Sequence, residues 1–171
     1  MTSDGNGAVR AATGAALDYP WLRRYPAGVN WHQQFPTVPL YQLIDDASRR
    51  FGSRPATNFI GKTMTYGEIG ALTDRAAAGL QKLGAKKGTK VGLFLPNSPT
   101  FIIFYFGILK AGGTVVNFNP LYTLEELTFQ IKDSDTELMI TLDLKLLFDK
   151  VDALLQSGAL KRAVVAPFPS L

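Results

Sequence analysis

The feature that most constrains this chain is a regular alternation, from Pro39 onward, of helix signals with short apolar runs. The runs KVGLFL, TVVNF, ELMITL and RAVVAP predict four strands, and residues at helical spacing lie between them. Strands that are apolar on both sides are typical of parallel sheets covered on both faces. The sequence therefore predicts an α/β protein with a mostly parallel sheet, right-handed crossovers and helices on both faces.

Two further elements precede the first of these runs. Apolar residues at helical spacing predict a helix over residues 40–51. The runs ATNFI and KTMTYG flank Gly61, a residue suited to a tight turn. This pattern predicts a small hairpin near the start of the folded part.

The starts of two helices are marked by paired residues. Thr65 is followed three places later by Glu68, and Thr123 is followed by Glu126 at the same spacing. Each pair predicts a capping box, in which the hydroxyl and the carboxylate accept hydrogen bonds from backbone amides at the helix start. The second box also explains the acidic pair at residues 125–126 without a catalytic role.

The helix predicted after KVGLFL is apolar on every side. Ser98 and Pro99 predict its N-cap and first turn, and Gly112 and Gly113 predict its end. Eight large apolar side chains lie within residues 101–109. Because exposing all of them to water is costly, we expect this helix to lie within the core.

The first 39 residues differ in composition from the rest. Residues 1–18 are small and polar and are predicted to be a disordered tail. Residues 19–39 alternate prolines with aromatics and are predicted to be an extended segment that its aromatics anchor to the folded body by burial. Contact with a membrane surface is the alternative function of those aromatics. Residues 40–171 form the predicted body.

Composition excludes several classes of protein. The chain has no cysteine, so disulfides and thiolate metal sites are excluded, and a reducing compartment such as the cytoplasm is expected. The net charge is +4, but its cations are scattered, so nucleic acid is not expected as a partner. The apolar run between Thr100 and Lys110 is about half as long as a membrane span.

Residue types that carry acid–base or metal chemistry are sparse. His32 is the only histidine and lies in the proline–aromatic segment, away from any strand end. The pairs Asp45/Asp46 and Asp133/Asp135 are predicted to be solvated helix ends and not metal ligands. We therefore predict no catalytic, cofactor-binding or metal-binding residue in this chain.

Parallel sheets bind ligands beyond the carboxyl ends of their strands, so a phosphate-binding motif is expected in the loops that follow the strands. These loops are PNSP at 96–99, NPLYT at 119–123, DLK at 143–145 and the terminal PFPSL. They contain neither a GxxxxGK motif followed by Ser or Thr nor a GxGxxG. Tyr122 is expected to pack rather than to stack on a ligand.

The stretch MTYGEIGALTDRAAAGLQKLGAKKGTKVGLFLPNSPTFIIFYFGILKAGGTVVNFNPLYTLEEL resembles the beginning of adenylate-forming ligases, and most of all that of long-chain fatty acid–CoA ligases. Two early motifs of that superfamily and the NPLYT form of its fatty-acyl members carry the resemblance. The matching residues are expected to have scaffold roles; they are Thr65, Tyr66, Glu68, Ile69, Leu109, Lys110, Ala111, Gly112, Asn119, Pro120, Tyr122 and Thr123.

The resemblance covers residues 19–171 but only roughly the first third of such an enzyme. It implies the N-terminal part of the adenylate-forming ligase fold, an incomplete N-terminal subdomain whose phosphate loop and catalytic lysine would lie downstream. Ile69 replaces the family's usual leucine, and Phe118 replaces the usual proline or valine. Substrate length is therefore left open.

For the complete enzyme, the resemblance implies activation of a fatty acid by ATP and Mg²⁺ to an acyl-adenylate, followed by transfer to coenzyme A. None of these cofactors is expected to bind this part tightly, and this part alone is expected to be inactive. The expected partners are the rest of the ligase chain and the fatty acid. A peripheral contact with the inner face of the membrane and a homodimer are left open as further partners.

Two alternatives remain at this point. The chain could be a freestanding interaction or regulatory module that uses an exposed sheet edge to pair with partners. It could also belong to a related aryl acid–CoA ligase. The sequence does not separate these alternatives.

Overall fold

The computed structural model describes residues 19–168, which belong to two compact units. The first unit ends at Thr37 and the second begins at Val38. The predicted tail over residues 1–18 lies outside the described residues, and so does the end of the last predicted loop, residues 169–171.

The first unit contains a short helix where the sequence predicts an extended segment. A 3-10 helix spans Pro20–Arg24, with the proline at its first position, and turns follow it. The aromatic rings pack on one another: the ring centroids of Tyr19 and Trp21 lie 4.7 Å apart, and those of Tyr25 and Trp31 lie 5.3 Å apart. Both tryptophans are more than two-fifths exposed, and the anchoring of this segment to the folded body stays a prediction.

The described part of the second unit contains five α-helices and six β-strands. In chain order they are α1 (Gln42–Phe51), β1 (Pro55–Phe59), β2 (Lys62–Thr65), α2 (Tyr66–Lys82), β3 (Lys90–Leu93), α3 (Pro99–Lys110), β4 (Thr114–Asn117), α4 (Leu124–Ser134), β5 (Leu138–Leu142), α5 (Lys145–Gln156) and β6 (Arg162–Ala166).

The four strands β3 to β6 form one parallel sheet in the order β4-β3-β5-β6. Val91 of β3 lies between Val115 of β4 and Leu138 of β5. Crossovers between parallel strands are almost always right-handed, and with this strand order the rule places α3 on one face of the sheet and α4 and α5 on the other. In agreement with this placement, α2 packs on α3 and α4 packs on α5. The predicted parallel α/β fold is confirmed.

Strands β1 and β2 form the predicted hairpin as a separate antiparallel sheet. Its turn contains Ile60 and Gly61, with φ angles of +50° and +78°. Glycine adopts this backbone region at no steric cost, whereas a β-branched residue does so rarely. The turn therefore carries local strain at Ile60.

Both predicted capping boxes are present. The Thr65 hydroxyl accepts a hydrogen bond from the backbone N–H of Glu68, whose carboxylate accepts one from the backbone N–H of Thr65 at 2.7 Å. Thr123 and Glu126 repeat the arrangement at the start of α4. These hydrogen bonds satisfy amides that have no partner within the helix.

At one position of the sheet a glycine is required, because a side chain from another segment packs directly against its backbone. A Cβ atom on Gly92 of β3 would lie 2.9 Å from the ring of Phe118 and 3.2 Å from the methyl group of Thr136. Phe118 is only 3% exposed and follows β4. The phenylalanine that departs from the family pattern thus packs directly over a residue without a side chain.

Helix α3 departs from its predicted position within the core. Its buried residues are Pro99, Gly107 and Ile108, whereas residues 101–106 are all half-buried. Gly107 lets the helix approach α2 closely, since a Cβ there would lie 3.0 Å from the methyl group of Ala76. A helix in the outer layer has only one side against the sheet and its neighbours, so an apolar sequence does not bury its whole circumference.

Candidate functional site

The carboxyl edge of the parallel sheet is the candidate site, because the segments that follow β3 and β5 leave it toward opposite faces. These two strands are neighbours, so a crevice opens between their ends. The segments that line this edge are residues 94–98 after β3, 118–123 after β4, 143–144 after β5 and 167–168 after β6.

The segment after β3 is held by its own hydrogen bonds. The Ser98 hydroxyl accepts a hydrogen bond from the backbone N–H of Phe101 at 3.3 Å and so caps α3, as predicted. Behind it, the buried hydroxyl of Thr141 donates to the carbonyl oxygen of Phe94 at 3.3 Å. Because this serine is 7% exposed and serves as a cap, it is not placed as a nucleophile.

The NPLYT segment after β4 is a rigid turn. The side-chain oxygen of Asn119 accepts a hydrogen bond from the backbone N–H of Leu121 at 3.0 Å. The backbone carbonyl oxygen of Asn119 accepts a second one from the backbone N–H of Tyr122, also at 3.0 Å. The Lys150 ammonium donates to the carbonyl oxygen of Tyr122 at 2.7 Å. The Tyr122 ring is half-buried and packs against the core, in line with the expectation of packing.

The ends of β5 and β6 are joined through one carboxylate. Asp143 accepts a hydrogen bond from the backbone N–H of Phe168 at 2.6 Å, and its own N–H donates to the carbonyl oxygen of Ala166. The ring of Phe168 lies edge-on to Phe59 of the hairpin, with the centroids 6.0 Å apart. The hairpin and the last described strand therefore meet at this edge.

Lys110 lies at the end of α3, away from the carboxyl edge. Its ammonium donates to the carboxylate of Asp45 in α1 at 2.5 Å and also to that of Asp74 in α2. The side chain is 22% exposed. Lys110 thus joins three helices, which is a structural role.

The electrostatics of this cluster favour the charged lysine. Burial lowers the pKa of Lys110, but its hydrogen bonds to Asp45 and Asp74 and the attraction of both charges outweigh burial. The net effect raises the pKa above its ordinary value of 10.5. A lysine held in this state is a poor nucleophile or base at neutral pH.

The motif residues are therefore divided among three places. Thr65, Tyr66 and Glu68 lie at the start of α2, Lys110 and Gly112 lie where α3 leads into β4, and the residues from Asn119 to Thr123 lie at the carboxyl edge. At each place the structure gives them capping, turn or ion-pair contacts.

Two shallow cavities adjoin the candidate site. One of about 430 Å³ is lined by Tyr122, Glu125, Glu126, Phe129 and Gln130. In it, hydrogen bonds from the backbone and side chain of Thr123 hold the pKa of the Glu126 carboxyl below its usual value, with a smaller contribution from the charge of Lys150. A carboxyl in this state is not poised to donate a proton at neutral pH.

The second cavity, of about 320 Å³, lies between the hairpin and the start of α3 and includes Thr57, Asn97 and Ser98 in its lining. The hydroxyl oxygen of Thr57 is shielded from solvent and has no hydrogen-bond partner. No titratable residue lines this cavity.

Among residues 19–168, no group of three or more His, Asp or Glu residues is placed to hold a metal ion. Within the same residues, no helix is long and apolar enough to cross a membrane. His32 is exposed in the first unit, and among residues 19–168 its ring has no carboxylate partner that would make it part of a triad. Asp45, predicted to be a solvated helix end, is instead an ion-pair partner.

Two long-range contacts at the carboxyl edge were not predicted from the sequence. Lys150 binds the NPLYT turn from a position 28 residues away, and its cation lies 6.0 Å from the centre of the Phe94 ring. Asp143 binds a residue 25 positions away. The only sequence signal for either was the position of Asp143 directly after a strand.

Comparison with protein families identifies the chain's relatives. The model of the AMP-binding enzyme family matches residues 44–168. A long-chain-fatty-acid–CoA ligase of Bacillus subtilis (strain 168) is 43% identical over 127 residues, which are 73% of this chain and 22% of that protein. One from Salmonella typhimurium is 40% identical over 122 residues, 70% of this chain and 22% of that protein.

Solved structures give the same result. The crystal structure of a long-chain-fatty-acid–CoA ligase from Archaeoglobus fulgidus superposes with a TM-score of 0.69 and 25% identity. The match covers 78% of this chain and 28% of that one. The chain thus spans between a fifth and a third of the length of these relatives.

Proposed function

This chain belongs to the AMP-binding enzyme family, and we propose that it forms the N-terminal part of a long-chain fatty acid–CoA ligase. The observation that carries the proposal is its 43% identity to the Bacillus subtilis ligase over 127 residues, which are 73% of this chain. The complete protein would convert a fatty acid and ATP to acyl-adenylate and pyrophosphate, and would then form a thioester with coenzyme A as AMP leaves. We further propose a cytoplasmic location with peripheral contact at the inner face of the membrane.

We propose that ATP, Mg²⁺ and coenzyme A are held by residues outside the part of the chain that the structure describes. The loops at the carboxyl edge make hydrogen bonds within and between themselves, and residues 19–168 hold no group of three or more His, Asp or Glu residues placed to hold a metal ion. Electrostatic stabilisation of transferring phosphoryl oxygens needs cations and free amide donors. We therefore assign to this part a supporting role and derive no catalytic step from its residues.

The supporting role has a structural basis. Lys110 joins α1, α2 and α3, and Lys150 fixes the turn that begins at Asn119. The Lys150 contact fixes a segment of the carboxyl edge, and the Lys110 contacts fix the three helices relative to one another. The family motif residues, including Thr65, Tyr66 and Thr123, are proposed to serve this arrangement rather than the chemistry.

The test is an assay of the longest natural reading frame that contains this chain, with the 171-residue chain as its matched control. We expect palmitate-dependent exchange of labelled pyrophosphate into ATP, and a coenzyme A thioester, only with the longer protein. Exchange by the 171-residue chain alone would contradict the supporting role. Activity with coumarate but not palmitate would assign the protein to the aryl acid–CoA ligases.

A freestanding interaction module is the second candidate, and one observation favours it. Strands β4 and β6 are the edges of the described sheet, and each has one unpaired side. Sedimentation of the chain tests this candidate together with the homodimer that the sequence leaves open. A monomer across the accessible concentration range would remove self-pairing through these edges.

A further inference from the structure

Helix α3 and the hairpin border a continuous apolar groove, which we call the hairpin groove. The cavity of about 320 Å³ between the hairpin and α3 adjoins a third cavity of about 290 Å³, because Thr57 and Ile102 line both of them. The third cavity lies between α1, the start of α2 and α3, and Leu43 and Phe106 are in its lining. The hairpin groove therefore runs along α3 from Ser98, at the carboxyl edge, to Leu43 of α1.

The hairpin groove exposes apolar side chains and carries no charge. Leu43 is 58% exposed, and Phe101, Ile102 and Phe106 are half-buried. Among the described residues that line its two cavities there is no Asp, Glu, Lys, Arg or His. A contiguous apolar surface without charged residues is typical of the centre of a protein interface rather than of a solvated surface.

Two kinds of group in the hairpin groove lack their usual surroundings. A helix that is apolar on every side is normally covered on every side, yet residues 101–106 of α3 are only half-buried. The hydroxyl oxygen of Thr57 is shielded from solvent, and among the described residues it has no hydrogen-bond partner. Buried polar groups normally have such a partner. Both observations indicate that a further segment covers this side of the protein.

The last described residue lies beside the hairpin groove. The ring of Phe168 is edge-on to the ring of Phe59, and Phe59 is part of the groove's lining. The Asp143 carboxylate accepts a hydrogen bond from the backbone N–H of Phe168 at 2.6 Å, which holds the backbone in this place. The matched residues are 22% of the Bacillus subtilis ligase, so most of that protein lies outside the match. A polypeptide that continues from Phe168 therefore begins next to the groove.

We propose that the hairpin groove is the docking surface for the polypeptide that continues beyond residue 168 in the complete ligase. The docked segment presents an uncharged, apolar face to Leu43, Ile102 and Phe106 and supplies a hydrogen-bonding group to Thr57. Helix α3 then becomes a middle layer of the protein, covered on both sides, as its sequence requires. The inference rests on the proposed function, because it requires the longer protein.

Cysteine labelling compares the hairpin groove in two chains. The 171-residue chain has no cysteine, so Leu43→Cys and Ile102→Cys each introduce its only thiol. Each variant is made in this chain and in the longest natural reading frame that contains it. Mass spectrometry of the peptides follows the reaction of the introduced thiol with N-ethylmaleimide. We expect both thiols to react at least about tenfold more slowly in the longer protein, because the docked segment must open before they are reached.

The matched control is Lys145→Cys in the same two chains. The Lys145 side chain is 89% exposed on α5, outside the lining of the hairpin groove. Its replacement thiol should react at the same rate in both chains. Thermal unfolding of each variant verifies that the fold is kept, and Leu43→Cys changes a side chain that is already exposed in the 171-residue chain.

Three results would overturn the proposal. The first is equal labelling of Leu43→Cys and Ile102→Cys in the two chains. The second is labelling of the 171-residue chain that slows as its own concentration rises, because a second copy would then occupy the groove. The third is labelling of the 171-residue chain that slows when palmitate is added, because a small apolar ligand would then occupy it.

The labelling result is separate from the result of the ligase assays. Protected thiols in a longer protein that forms no acyl-adenylate from palmitate or coumarate would keep the docking surface and remove the proposed ligase activity. An active ligase whose groove thiols react as fast as those of the 171-residue chain would keep the activity and remove the docking surface.

Discussion

Strand β5 and helix α3 are both composed almost entirely of apolar residues, yet they differ in depth. All five residues of β5 are buried, whereas α3 buries only Pro99, Gly107 and Ile108 among its twelve residues. Strand β5 has β3 and β6 as neighbours and helices on both faces of its sheet. The comparison teaches that position in the layered fold, more than local hydrophobicity, decides how much of an element is removed from water.

The first prediction tests this comparison with the same substitution in both elements. Ile140→Ala in β5 removes a fully buried side chain and should lower the free energy of unfolding by about 2–5 kcal/mol. Ile103→Ala in α3 affects a half-buried side chain and should cost less than about 1.5 kcal/mol. Urea unfolding measures both, and equal losses would contradict the difference in depth.

The second prediction compares a methyl group added at a glycine with a side chain packed against it and one added at an exposed glycine. Gly92→Ala in β3 brings a Cβ against the Phe118 ring and should destabilise the protein by about 1–3 kcal/mol. Gly79→Ala, on the exposed side of α2 with open space around it, should stabilise the protein by up to about 1 kcal/mol. Opposite shifts of the urea midpoint are expected. A neutral Gly92→Ala would show that the ring moves aside.

The third prediction concerns the contact that holds the helical layer together. Lys110→Met removes the cation shared by Asp45 and Asp74 and should cost about 1–2 kcal/mol, because one of the two carboxylates is largely buried. Lys145→Met, which breaks an exposed pair with Asp149, should change stability by less than about 0.5 kcal/mol. A cost no larger than that of the control would remove the structural role of Lys110.

The raised pKa of Lys110 predicts that the free energy of unfolding declines at alkaline pH. The folded state raises the pKa of Lys110 above 10.5, so its contribution is fully present below that pH. The contribution is lost as the pH rises through the folded-state pKa. Urea unfolding of the wild-type chain across this range should therefore show a decline that Lys110→Met lacks.

The fourth and smallest effect is expected at the helix caps. Thr65→Ala should destabilise the protein by about 1 kcal/mol, and Thr65→Ser should restore most of the loss because it keeps the hydroxyl. Hydrogen bonds from the backbone and side chain of Thr65 lower the pKa of Glu68 below its ordinary 4.5. This contribution is therefore present above pH 4.5 and is lost as the pH falls through the folded-state pKa, a decline that thermal unfolding in acid should record.

Local signals predicted the elements well because their causes are local. The boxes at Thr65 and Thr123, the cap at Ser98 and the hairpin turn at Gly61 each depend on residues within three or four positions. Alternation of helices with apolar strands was enough to predict the parallel sheet. Strand order was not predicted, since the pattern alone does not say which strands are neighbours.

Long-range contacts were not predictable in the same way. Lys110 and Asp45 are 65 positions apart, and Asp45 looks like any solvated acid at a helix start. Asp143 and Lys150 likewise bind backbone groups that only the fold brings near them. The half-burial of α3 was missed because side-chain composition does not report how many layers cover a helix. The function that we propose came from the resemblance to a family. The residues alone did not indicate it.

The strand order also determines when the sheet can be completed during synthesis. Strand β3 pairs with β4, which follows it closely, and with β5, whose Leu138 lies opposite Val91. A nascent chain that has emerged from the ribosome only as far as Ser134 therefore exposes one whole side of β3. Chaperone binding to stalled chains should accordingly fall once Leu142 has emerged, since the central strand then acquires its second neighbour.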